Sequence, residues 1–149
     1  MTGRSADIAT PVPMLRMVVV VVCAAAALAG VLATSPAATV AAVRQAGGEL
    51  AMLLRFMAGV KALMAAAFVA LTTWRLGYPA SGRLAAVYVV SAALMSAAPG
   101  VIFQMAHVAA GAVLFHVGLL VQLGAAWADR GGRARVVAAV MARRRAAPA

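Results

Sequence analysis

Few residues of this chain could do chemistry, and most of those that could lie inside apolar runs. Lys61 sits in RFMAGVKALMAAAF, and Arg55 precedes it by six residues. On translocon scales a lysine at the centre of a bilayer helix costs about 2.5–3.5 kcal/mol, which calls for a partner or a water-filled cavity. The second polar group is carried by MAHVAAGAVLFHVGLLVQLG, which holds His107, His116 and Gln122, with Gln104 just before it. If these two runs form parallel neighbouring helices, His107 lies at the depth of Arg55 and His116 at the depth of Lys61. Lys61, Arg55, His116, Gln104 and Gln122 would then make a buried polar network. The same arrangement would serve a small-molecule or ion pathway lined by Lys61 and His116. The plainer alternative is that Lys61 snorkels or meets a carbonyl, while His116 bonds a hydroxyl such as that of Ser91.

Two kinds of cofactor chemistry fit the residue types. Haem b takes axial imidazoles from facing helices. His107 and His116 are nine residues apart, about 900° around a helix, and so lie on opposite faces. One chain cannot clasp a haem with both, which leaves His116 paired with a histidine of another subunit. Thioether and imidazole ligands suit copper(I), and Met52, Met57, Met95, Met105 and His107 all fall in the same half of the expected bundle. Met105 and His107 are the nearest such pair in sequence, but residues two apart do not share a helical face, and methionine also fills gaps in apolar packing.

Catalytic signatures are missing. The three carboxylates, Asp7, Glu49 and Asp129, lie at or outside the helix ends, and there is no HExxH, GxSxG or phosphate-binding glycine loop. A carboxylate-driven pump or a hydrolase is hard to assemble from this set. Cys23 is the single cysteine, which rules out an intramolecular disulfide, and it reads as a small apolar filler.

The elements that must position these groups follow from composition. The chain is 66% hydrophobic and 11% charged, with a mean hydropathy of +1.01, more apolar surface than a water-soluble domain of this length could cover. Lipid offers backbone groups no hydrogen bonds, so runs rich in Ala, Val and Leu without strict alternation must be helices. Four spans are expected, at about 14–32, 49–74, 82–98 and 101–128, with a basic tail at 129–149. Pro99-Gly100 reads as the stop of the third. That span is short: 17 residues cover roughly 25 Å of a core about 30 Å thick, unless the helix runs past Pro99. Gln104, Gly111, Gly118 and Ala125 recur every seven positions, with His107 and Gln122 beside them. Gly111, Gly118 and Ala125 therefore read as a helix-packing face, within the bundle or between chains, and His107 and Gln122 as interhelical glue.

Charge sets orientation. Arg4 and Arg16, then Arg75 and Arg83, then Arg130, Arg133, Arg135, Arg143, Arg144 and Arg145 place both termini and the second loop on the cytoplasmic side. Trp74 and Trp127 fall at the same ends, where amphipathic rings prefer the interface. The net charge of +10 lies mainly outside the apolar runs, which points to anionic headgroups at the C-terminal tail and not to nucleic acid. The tail could lie on the membrane as a basic amphipathic helix or remain a solvated segment. Residues 1–42 have a second reading, as a signal peptide cleaved near Ala42. The expectation is an all-α, polytopic protein of the inner membrane, a compact four-transmembrane-helix bundle. Its expected role is that of a noncatalytic subunit or accessory protein, binding its own copies as a homo-oligomer or joining a larger membrane complex.

Overall fold

The computed structural model describes residues 12–129, together with 131 and 134. The N-terminal tail with Arg4 and Asp7, and the basic C-terminal tail from Arg130 apart from Gly131 and Ala134, lie outside the described residues. So do the readings of that tail as an amphipathic helix or a headgroup-binding segment.

Among the described residues five helices follow one another: α1 (Val12–Leu32), α2 (Pro36–Ala46), α3 (Gly48–Arg75), α4 (Gly82–Phe103) and α5 (Val108–Ala128). All but α2 are long and apolar enough to cross a membrane. α2 is short and buries none of its residues. It starts on Pro36, with the Ser35 hydroxyl accepting from the Ala38 N–H at 3.3 Å, and ends at Gly47, whose φ is 78°.

α4 is the hub. Half of its most apolar stretch is buried in the protein, against 11% for α3, 17% for α1 and 28% for α5. The other long helices lean on it through small residues. α3 presents Ala51, Ala58, Ala65 and Thr72, a buried stripe at seven-residue spacing. α5 presents Gly111, Gly118, Gln122 and Ala125. A Cβ on Gly111 would come within 3.1 Å of the Ala98 carbonyl oxygen, and one on Gly118 within 2.9 Å of that of Ser91. The Gly111/Gly118 face therefore lies inside the bundle, against α4. α1 meets α4 even more closely, with a Cβ on Gly30 falling 2.1 Å from the Ala97 carbonyl oxygen and one on Gly100 falling 2.7 Å from the Val31 nitrogen.

The boundary between the last two spans differs from the expectation. Pro99-Gly100 does not end α4, which continues to Phe103 with Pro99 buried inside it. Proline removes one backbone donor, a defect that a packed membrane helix tolerates because neighbouring helices, side chains and local adjustment re-satisfy the freed carbonyl. At 22 residues α4 is roughly 33 Å long, enough for the hydrocarbon core. The chain turns instead at 104–107, where Met105 takes a φ of 66°, and α5 begins at Val108 and not at 101. The proposed cleavage site near Ala42 lies within α2, downstream of an α1 that is packed into the bundle.

The backbone contact at Gly30 makes a direct prediction. Gly30→Ala should force α1 and α4 apart and cost about 1–3 kcal/mol, whereas Gly124→Ala, with open space around it, should be neutral or slightly stabilising. Thermal unfolding in detergent, followed by the reactivity of the buried Cys23 thiol, checks both; equal melting of the two variants would show that the close contact is not made.

Candidate functional site

The polar groups sort into three levels along the bundle. At the end where α3 and α5 finish and α4 begins, the Arg75 guanidinium forks onto Asp129. Its Nε and Nη2 donate to the two carboxylate oxygens, the latter bond 2.9 Å long, and the two side chains are 9% and 5% exposed. The Tyr88 hydroxyl donates to the same carboxylate at 3.4 Å, so α3, α4 and the end of α5 are tied at one point. Arg75 also donates to the Pro79 carbonyl at 3.5 Å, which secures the turn into α4. Planar two-bond matching suits arginine and explains how such a pair survives burial.

The next level is neutral. Gln122 donates through Nε2 to the Thr72 hydroxyl at 2.6 Å and accepts from Ser91 through Oε1. Ser91 can also turn to the Val87 carbonyl of its own helix, at 2.8 Å. One carboxamide on α5 thus joins α3 and α4, with both of its polar ends used. Ser91 belongs to Gln122 and not to His116.

The third level holds the groups singled out in the sequence, and it does not gather them into one network. The Lys61 ammonium lies 4.2 Å from the centroid of Phe115, over its face, and the Arg55 guanidinium lies 5.2 Å from that of Phe103. Each cation is therefore held by an aromatic quadrupole and not by an imidazole. His116 is exposed, with Nδ1 2.7 Å from the Ala112 carbonyl of its own turn. A carbonyl only accepts, so Nδ1 carries a proton, and in the neutral ring Nε2 is then the acceptor that faces outward. No hydrogen bond joins Lys61 to His116. The expected placing of His107 inside a span, at the depth of Arg55, does not hold, because α5 starts later than expected. His107 is the exposed residue just before α5, not a group inside a span.

Gln104 leaves the α5 face for the same reason. As the residue closing α4 it accepts from the Thr39 hydroxyl at 2.8 Å and donates to the Val31 carbonyl at 3.0 Å, joining α2 and the end of α1 to α4. The methionines considered for copper divide between interior and surface: Met95 and Met105 are buried, while Met52 is 73% and Met57 44% exposed. Met105 is buried where His107 is exposed. Among the described residues no three His, Cys, Asp or Glu side chains cluster as metal ligands.

A separate feature lies between α1 and α3. The two helices leave a groove of about 1010 Å³ floored by α4, walled by alanines and Gly59, with Arg16 and Trp74 at one end and Val31 and Phe103 at the other.

In the sequence Arg75 and Asp129 figure only as an orienting charge and a helix-end carboxylate, at the ends of two different apolar runs. The available signal was that an acidic residue closing one apolar run and an arginine closing another share a membrane side. Comparison of the chain with known protein families, curated proteins and solved structures finds no match.

The two polar levels differ in consequence. Asp129→Ala strands a buried guanidinium and should cost about 3–5 kcal/mol, and adding Arg75→Met should restore much of that loss. Gln122→Leu should cost nearer 0.6 kcal/mol and at most about 1.7, since its hydroxyl partners can fall back on their own helices. Denaturation in mixed micelles, with a double-mutant cycle for the charged pair, separates these; additive losses at Arg75 and Asp129 would deny the coupling.

Proposed function

We propose that this chain is a multi-pass inner-membrane protein, with both termini and the Arg75–Arg83 loop cytoplasmic, that acts noncatalytically by binding a partner helix within the bilayer. One observation carries this reading: a polar side chain, His116, stands near the middle of α5 on its outward face with only Nδ1 satisfied. An intramembrane polar group with a free acceptor marks a helix contact.

The surroundings of His116 indicate the partner. Ala109, Val113, His116, Leu120, Leu123 and Trp127 are all exposed and alternate at spacings of four and three. That is the seam of a left-handed helix pair, and a single polar residue in such a seam fixes register. Copies of one chain share one membrane orientation, so two α5 helices related by a two-fold axis run parallel and meet at equal depth. His116 then faces His116 of the second copy, where one proton shared between the two Nε2 atoms would link the rings, with Gly111 and Gly118 left inside each bundle. The preferred function is that of a self-associating membrane subunit whose other faces are free to engage a larger complex.

A second reading is favoured by the tautomer. Nδ1–H bonded to a carbonyl leaves Nε2 as a lone-pair donor, the arrangement found for histidines that hold a metal. Two parallel copies would offer two such imidazoles at one depth, the pair that a haem b requires.

Cysteine crosslinking tests the contact. In a Cys23→Ala background, Leu120→Cys should form a disulfide-linked dimer on mild oxidation in membranes, and Leu63→Cys, on the outer face of α3, should not. His116→Leu should lower the crosslinked fraction severalfold. Monomer at both positions would refute the self-association. A Soret band from the purified dimer, lost in His116→Leu, would select the haem-binding reading.

A further inference from the structure

The groove between α1 and α3 lies apart from the α5 seam and contains no α5 residue. Its walls are as small as side chains allow: Ala24, Ala27, Ala58, Gly59 and Ala62 keep α1 and α3 from closing over α4. Around Gly59 there is open space within 4 Å. The groove therefore runs as a slot, from Arg16 of α1 and Trp74 of α3 at one end to Val31 of α1 at the other, roughly 22 Å of helix.

The two ends of the slot differ in chemistry. At the far end Val31, Gly100 and Phe103 line it, all apolar, and the nearby Arg55 guanidinium is engaged by the Phe103 ring and does not line the slot. At the near end stand the Trp74 indole, the Thr73 hydroxyl and the Arg16 guanidinium. Arg16 reaches across to the turn between α3 and α4 and lies against Gly77, where a Cβ would fall 1.8 Å from its Nη2. No carboxylate lines the groove, and Arg16 has no ion-pair partner among the described residues. The occupant that matches an apolar slot with a cation at its interfacial end is an amphiphile with an anionic head.

We propose that the α1–α3 groove is a binding site for an anionic phospholipid, with its phosphate on Arg16 and an acyl chain laid along the alanine-lined slot. A helix from a second copy fits less well. Of the acidic side chains among the described residues, Asp129 is held by Arg75 and Glu49 opens α3 at the opposite end. Neither can reach Arg16 of a neighbour that shares the same membrane orientation. A zwitterionic lipid would fill the slot, but it would bring its own cation to the guanidinium.

Trp74 provides the readout, because it lines the groove while the other tryptophan, Trp127, lies on α5. In a Trp127→Phe background reconstituted in vesicles, phosphatidylglycerol brominated on the acyl chain should quench Trp74 at mole fractions about fivefold lower than brominated phosphatidylcholine does. That ratio corresponds to one arginine near an anionic surface. Arg16→Gln should reduce the ratio to about one, and so should high salt. Ala62→Phe, which fills the slot, should weaken quenching by both lipids. Equal quenching of the unaltered protein by the two headgroups would overturn the proposal, as would a preference that survives Arg16→Gln. If quenching by both lipids falls as protein density rises, the groove is closed by a second copy and the proposal fails, with the α5 contact unaffected.

Discussion

The absence of hydrogen-bonding solvent along the four long helices is the constraint from which the rest of the structure follows. Where water is missing, every backbone group must bond within its helix and every buried polar side chain needs a partner in the protein. Helix ends are then decided by the thickness to be crossed more than by local breakers, which is why α4 runs through Pro99 and Gly100 and turns only at 104–107. Side chains along the long helices follow the same rule, while the Thr34 hydroxyl, in the turn after α1, is buried without a partner. Arg75 takes Asp129, Gln122 takes both Thr72 and Ser91, and Lys61 and Arg55 take the faces of Phe115 and Phe103.

The second consequence concerns packing. Apolar surface gains nothing by leaving lipid for an equally apolar interior, so helices associate by close approach and by polar contacts. The close approaches centre on α4, through Gly30 and Gly100 on one side and Gly111 and Gly118 on another. The polar contacts cluster at the end of α3 and α5, where the helices would otherwise splay. α3, whose contacts with α4 run through an alanine stripe, lies loosely against α1, and the groove between them is the result.

The helical class and the apolar spans were legible because composition and run length report directly on solvent. The small-residue face of α5 was legible because seven-residue spacing survives in a straight helix. The end of α4 was not, because Pro-Gly is a breaker in water and only a local perturbation in a packed helix. That one displacement moved Gln104 off α5 and left His107 at a helix start, so two of the proposed site residues changed role together. The Arg75–Asp129 pair was hidden for a different reason: its partners lie 54 positions apart, and only the packing of α3 and α5 around α4 brings them together. Lys61 was recognised as needing compensation, but depth alone pointed to an imidazole where the structure supplies a benzene ring. Sequence spacing gives the height of a group in a bundle and not its azimuth.

Azimuth is also what separates the two surfaces of this molecule. On α5, Gly118 and His116 are two positions and about 200° apart. The glycine that lets α5 seat against α4 thereby obliges the imidazole to face outward. The more closely α5 packs onto the hub, the less freedom His116 has to turn inward and find a partner in its own chain. Its single internal bond, to the Ala112 carbonyl one turn back, is the only kind available to a side chain so placed. The exposed lone pair is thus a consequence of the same small-residue packing that holds the bundle together. A second copy against that face would bring another Nε2 to the same depth, and two such acceptors need one shared proton or a bound metal between them; neither disturbs α4 or the groove between α1 and α3.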